Sequence, residues 1–246
     1  TFTGPSNFAK NLLDQGLVDF HIRGDGEHSF YEFLKGNKTY SGINSTDWTE
    51  LNREDLAKLP MPDYSNYKFN QYKKKALPIV GSRGCVRKCT FCDYIANWPN
   101  FHWRTADDIF EEMQKQYEKY GIRYFKFQDS LTNGNQKEFY KLTQILGEHN
   151  LSNPDDAFRW NGYYIFREVT PQSEYEWQLV KDSGATSLTV GIENLNEHIR
   201  YGIGKKFSNA SIDFHLEQAQ KHKIQLQLLN IVGYVNETEQ DIDFIK

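Results

Sequence analysis

From Ala76 onward the chain alternates short apolar runs with helical patterns, and this limits it to a parallel sheet covered by helices. The runs are Leu77–Val80, Tyr124–Phe127, Phe158–Ile165, Ser187–Ile192 and Gln225–Val232. The first, fourth and fifth are close to continuously apolar, as expected of strands buried on both faces. The segments between them carry helix punctuation. Thr105 with Asp108 forms a capping box and Gly121 ends that helix, along which Ile109, Met113, Tyr117 and Tyr120 share a face. Asn135 with Glu138 caps the next helix. Thr170 precedes Pro171 at a first helical position, Gly184 closes that helix, and Ser208 and Asn236 cap the last two. A sheet of this kind is either open or curled into a (β/α) barrel, and in a barrel the chemistry gathers at the C-terminal ends of the strands.

Ahead of this alternation, residues 1–40 read as helix, strand, glycine turn and helix. Phe8, Leu12 and Leu13 form an apolar face, Leu17–Ile22 is a strand candidate, and Arg23-Gly24-Asp25-Gly26-Glu27 turns into a helix over His28–Leu34. Residues 41–76 show no long period and hold Pro60, Pro62 and the run Lys73-Lys74-Lys75, so they read as a linker wrapping a surface. The chain opens on Thr1-Phe2-Thr3-Gly4-Pro5, like the end of a strand entering a turn. It closes within a helical pattern at Asp241–Lys246. We therefore expect a piece of a longer protein.

Three cysteines, Cys85, Cys89 and Cys92, fall within eight residues just after the first strand. An odd, tightly clustered set does not make a disulfide framework; it suits thiolates gathered for a metal in a reducing compartment. Gly81 and Gly84 let the backbone wrap tightly there. Three soft sulfur ligands can hold three irons of a cubane cluster and leave the fourth iron open for a substrate. A structural zinc ion needs four ligands, and the nearest further donor is His102, ten residues beyond Cys92.

The spacing C-x3-C-x2-C after a strand, with Phe91 before the last cysteine, resembles the signature of the radical S-adenosylmethionine superfamily. The resemblance implies a [4Fe-4S] cluster on Cys85, Cys89 and Cys92, whose open iron binds the amino and carboxylate groups of S-adenosylmethionine. Reductive cleavage then gives methionine and a 5′-deoxyadenosyl radical. By the same resemblance Phe91 lies near the adenine, and Asp129 and Ser130 stand where members contact the methionine amino group. Glu193, in Val190-Gly191-Ile192-Glu193, would reach the ribose or the methionine moiety. Ile231 and Gly233, in Leu229-Asn230-Ile231-Val232-Gly233, would flank the adenine. The usual Gly-Gly-Glu is missing after the second strand, and Val235 stands where proline is common.

Residues 1–36, with Thr3-Gly4-Pro5 and the Gly24–Glu27 turn, resemble the end of a cobalamin-binding domain fused ahead of many such enzymes. Pro60-Met61-Pro62-Asp63 and Ser82-Arg83-Gly84-Cys85 resemble the same subfamily. This implies cobalamin contacts at Gly24, Gly26 and Glu27, with a cobalt-ligating Asp-x-His-x-x-Gly pattern expected upstream of Thr1. The expected organisation is a remnant of a Rossmann-like cobalamin domain (1–40), a linker (41–76) and a partial radical SAM (β/α) barrel (77–246).

Each of these residues also has an ordinary reading. Asp129 and Glu193 could be caps or strand ends, Ile231 and Gly233 core and turn, and Gly24–Glu27 a generic strand-to-helix turn. Arg167 reads as a surface ion pair or a partner for the cofactor carboxylate. Gly202-Ile203-Gly204-Lys205 lacks the hydroxyl of a phosphate loop and reads as a connection. A net charge of −4 argues against a dedicated nucleic-acid surface, and no apolar run is long enough to span a bilayer. The N-terminus has no signal-peptide pattern, so the five Asn-x-Ser/Thr triplets, at Asn37, Asn44, Asn150, Asn209 and Asn236, are chance matches, as is Arg23-Gly24-Asp25. The expected setting is cytoplasmic, with an electron donor such as flavodoxin or ferredoxin and a small-molecule or peptide substrate. With cobalamin bound, the resemblance implies methyl transfer to an unactivated carbon or phosphorus as the leading reaction class. A cobalamin-linked oxidoreductase or cyclase, or a non-catalytic zinc-stabilised binding module, are the competing readings.

Overall fold

The computed structural model describes residues 7–45, 49–235 and 237–245. The Thr1–Pro5 opening and the expected cap Asn236 lie outside them. Helices α1 (Asn7–Asp14), α2 (Glu27–Leu34) and α3 (Arg53–Lys58) lead into β1 (Leu77–Ile79). The short β2 (Ser82–Arg83), α4 (Tyr94–Asn97) and β3 (His102–Trp103) follow. A regular alternation then runs through α5 (Ala106–Tyr120), β4 (Tyr124–Phe127), α6 (Gln136–Ser152), β5 (Arg159–Tyr164) and α7 (Ser173–Asp182). It continues with β6 (Ala185–Glu193), α8 (Glu197–Ile203), α9 (Asn209–Lys221), β7 (Gln225–Asn230) and α10 (Glu239–Ile245).

The five long-range strands form one parallel sheet in the order β1-β4-β5-β6-β7. A doubly wound sheet reverses its strand order partway; this one does not. With right-handed crossovers, its helices therefore cover a single face, which is a (β/α) barrel left open. On the covered face Phe125, Phe127, Trp160, Leu188 and Val190 are fully buried. Phe127 and Trp160 meet edge to face at 5.5 Å between ring centroids. The opposite, concave face carries Lys126, Asn161, Tyr163, Thr189 and Gly191, all half-buried or exposed. Burial alternates along β4 and β5, and also along β1 and β6, while β7 is half-buried to exposed; this replaces the two-sided burial expected of β1, β6 and β7, because the inside of the open barrel is not packed.

Local chemistry sets most boundaries. Thr105 and Asp108 make their reciprocal cap, and Gly121 closes α5 with φ +66. The Asn135 and Ser208 side chains cap α6 and α9. Helix α7 starts later than Pro171 suggests: Thr170 donates to Ser173 Oγ at 3.0 Å, so Thr170–Ser173 forms a turn of its own before the helix. The expected strand over Leu17–Ile22 is absent. Leu17 is 65% exposed, and only Ile22 bridges a neighbour, Ile43. Asn44 takes both backbone groups of His21, its Oδ1 accepting from the His21 amide and its amide donating to the His21 carbonyl, each at 2.8 Å, so the segment is held by a loop and not by a neighbouring strand. Within 41–76, Asn52 and Asp55 form a capping box for α3, which buries Leu56, while Thr49 bridges Gly24. No helix among the described residues is long and apolar enough to cross a membrane.

Arg200 of α8 is wholly buried and holds the return from β6 together. It donates to the carbonyls of Asn194 (2.8 Å) and Phe207 (2.9 and 3.0 Å) and to Asn209 Oδ1 (2.7 Å). Arg200→Met removes these charge-assisted bonds and leaves buried carbonyls unpaired. It is expected to lower unfolding free energy by about 3 kcal/mol in urea titrations.

Candidate active site in the cysteine loop

The cysteine loop is anchored before any metal is considered. Where it leaves β1, the Gly81 and Ser82 amides both donate to Asp129 Oδ1 at 2.8 Å. Antiparallel pairing of β2 with β3 closes the base of the loop. Gly84 has φ +81, and a Cβ there would overlap the Asn100 carbonyl, so only glycine fits. Ser130 Oγ donates to the Gly84 carbonyl, and the Arg87 amide donates to Cys85 Sγ at 3.4 Å. On the far side the Thr90 amide donates to the Ile203 carbonyl at 3.1 Å, and the Thr90 hydroxyl meets the Tyr234 hydroxyl. Cys89 packs with Ile199 and Ile203 in a small apolar cluster of its own.

The three cysteines line one cavity of about 360 Å³ together with Phe91, Asp129, Ser130, Glu193, Lys205 and Leu229. All three are free thiols, and Cys89 is buried. Burial pushes the Cys89 thiol up, opposed chiefly by the charge of Lys205. Among the described residues, no three His, Cys, Asp or Glu side chains converge on a point where a single metal ion could sit. His102 instead pairs in β3 with Arg83, 3.5 Å from Glu50. Thiolates that each take a different iron need not converge, so the set fits a cluster better than one zinc ion.

The other expected contacts divide. Phe91, 47% exposed, faces the cavity along with Asp129, Ser130 and Glu193. Ile231 and Gly233 are not part of its lining; Leu229 represents that segment. The Gly233 and Tyr234 amides bind Glu237 Oε2 instead, and Asn194 holds Glu237 Oε1 at 2.6 Å. Arg167 is half-buried and donates to the Asn133 and Gly134 carbonyls, which is neither of its expected roles. Lys205, read as part of a connection, reaches into the cavity and pairs with Glu193 Oε1 at 2.6 Å. Its sequence neighbourhood carries no sign of this.

A second cavity, of about 640 Å³, lies beside the first. Gly24, Gly26, Glu27 and Phe30 line one side, with Ser82, Arg83 and Trp98 opposite; Tyr94 and Gln128 line both cavities. Asp25, 4% exposed, ties the two sides together. It accepts from Arg83 (2.6 Å), Trp98 Nε1 (3.0 Å) and the Leu51 amide (2.6 Å), while Glu27 accepts from both terminal guanidinium nitrogens.

Burial pushes the Asp129 carboxyl from 3.8 up to about 7, with its two backbone hydrogen bonds and Arg104 pulling the other way. The folded state keeps a proton that the unfolded chain releases. This contribution to stability is therefore complete below about pH 3.8 and is lost as pH rises through about 7. Asp129→Asn keeps one oxygen for both amides and removes the charge. Its urea midpoint is expected to exceed that of the wild type above pH 7, by an amount on the order of a few kcal/mol in free energy, and to approach it near pH 4.

Several known proteins resemble this chain in sequence or fold. An uncharacterized methyltransferase of Pyrococcus horikoshii is 23% identical over 245 residues, covering 92% of this chain and 51% of that protein. An anaerobic magnesium-protoporphyrin IX monomethyl ester cyclase of Synechocystis is 23% identical over 262 residues, covering 98% and 50%. The chain spans about half the length of these curated relatives. The radical S-adenosylmethionine methyltransferase TsrM of Kitasatospora setae, solved with cobalamin and a [4Fe-4S] cluster, shares the fold. Its TM-score is 0.73 at 15% identity, over 98% of this chain and 52% of that one. The Radical SAM superfamily profile matches residues 79–246, from the end of β1 through the cysteine loop and every later strand, and the chain belongs to that superfamily.

Proposed function

We propose that this chain is the catalytic part of a cobalamin-dependent radical S-adenosylmethionine methyltransferase. The observation that carries the reading is the pair of adjoining cavities, one lined by the three cysteines and the other by the Gly24–Glu27 turn, with Tyr94 and Gln128 in both walls. A methyl carrier in the second cavity would stand next to the methyl donor in the first. The methyltransferase named among the relatives supports the same reading. Residues 1–40 would then be the tail of a cobalamin domain, 41–76 a linker and 77–246 the partial barrel.

When bound, the cluster supplies the electron that cleaves S-adenosylmethionine, and cobalamin supplies a carrier for the methyl group. The chain's own residues bind and orient. Cys85, Cys89 and Cys92 hold the iron; Glu193 and Ser130 offer oxygens to the methionine ammonium or the ribose; Phe91 offers a ring face to the adenine. The Arg83–Asp25–Glu27 network fixes the cobalamin turn against the cysteine loop. Free thiols suit a reducing, cytoplasmic setting, and the cluster calls for an electron donor of the flavodoxin or ferredoxin kind. The target is an unactivated carbon or phosphorus in a small molecule or peptide. The cyclase relative supports a second reading, cobalamin-linked radical cyclisation.

Product analysis separates the two. With cobalamin, reductant and S-adenosylmethionine, a methyltransferase forms both S-adenosylhomocysteine and 5′-deoxyadenosine, whereas a cyclase forms only the latter; Cys89→Ala abolishes both. Gly26 has an ordinary φ of −91, and a Cβ there meets only Ile22 at 3.8 Å. Gly26→Trp should obstruct the second cavity at the turn, eliminate retained cobalamin after desalting and leave iron loading unchanged. Cobalamin retained at wild-type stoichiometry in that variant would remove the basis of the proposal.

A further inference from the structure

Lys205 follows Gly204, which ends α8 in a left-handed conformation with φ +97. The turn carries the lysine back under the cysteine loop. A Cβ on Gly204 would lie 3.5 Å from the Lys88 carbonyl and 3.8 Å from the Cys89 Cα, so the two segments touch directly. The Lys205 ammonium is nearly buried and donates to Glu193 Oε1 and to the Gly191 carbonyl, each at 2.6 Å. Glu193 sits at an irregularity in the pairing of β6 with β7 and has φ +65, a strained conformation for a residue other than glycine. Gly191 leaves the room: a Cβ there would overlap the Glu193 carboxylate and lie 2.7 Å from the Lys205 ammonium.

An exposed ion pair of this kind would do little. A buried pair has a desolvation cost that its hydrogen bonds only partly offset, and here it is combined with backbone strain. That combination points to the cavity. An iron–sulfur cluster gains negative charge when reduced, and a fixed charge nearby in a weakly screened interior shifts that equilibrium. We infer that Lys205 is a positioning residue: it fixes the Glu193 carboxylate in the cysteine cavity and holds a positive charge in the wall it shares with the three cysteines, which makes the cluster easier to reduce. This rests on the iron–sulfur reading proposed above.

The test is a redox titration of the anaerobically reconstituted protein, followed by electron paramagnetic resonance without S-adenosylmethionine. In Lys205→Met the reduced-to-oxidised ratio at the wild-type midpoint should fall about tenfold, or ~59 mV for one electron. Glu193→Gln leaves the ammonium unbalanced and should shift the ratio the opposite way. Lys205→Arg and the double variant Lys205→Met, Glu193→Gln should stay near the wild type. Single variants with the wild-type midpoint, or shifted in the same direction, overturn the inference. If Lys205→Met does not fold, Glu193→Gln decides by its sign. A wild-type protein that takes up no iron refutes the iron–sulfur reading instead, before any variant is compared.

Discussion

The hydrogen bonds from the Gly81 and Ser82 amides to Asp129 join the C-terminal ends of β1 and β4, neighbours in the sheet, and fix where the cysteine loop departs. The rest of the site is built outward from that clamp. Ser130, one residue on, holds Gly84, and the β2–β3 ladder closes the loop behind it. On the other flank the end of α8 receives Thr90, and Tyr234 meets the same residue. The three thiols are thus presented by backbone held from several strands. Buried polar groups that are individually satisfied give such a loop a defined shape.

The same loop forms the boundary between two cavities. Arg83 lies two residues before Cys85 and binds Asp25 and Glu27 of the N-terminal turn, so the wall of the second cavity is joined to the cysteine loop that lines the first. Tyr94 and Gln128 complete the partition. Radical and methyl-transfer chemistry depends on holding reacting groups close while excluding water, and this arrangement places two binding volumes within one wall of each other.

Features encoded by adjacent residues were legible in the sequence. The cysteine spacing, the Thr105–Asp108 box, the Gly121 stop and the strand–helix alternation depend on local bonds or local periods. Features created by the return of distant chain were not. Lys205 reads as a loop lysine because its partner Glu193 is brought to it only by the turn at Gly204 and the irregular end of β6. Strands β2 and β3 have two residues each, too few to show a period. Leu17–Ile22 has strand composition but no neighbour to complete it, and Arg167 turned inward to carbonyls that sequence alone does not locate. Nor does the sequence show that the Ile231 amide donates to the Glu193 carbonyl or that Glu237 accepts from the Gly233 and Tyr234 amides, because these partners meet only where β7 ends beside β6.

Three thiolates in this loop suit a four-iron cluster with one iron left open to S-adenosylmethionine. The most direct measurement is the electron paramagnetic resonance spectrum of the reduced, reconstituted protein before and after S-adenosylmethionine is added. About four irons per chain, with a cluster signal that changes on addition, is expected. One tightly bound zinc, or an iron signal indifferent to S-adenosylmethionine, would contradict it.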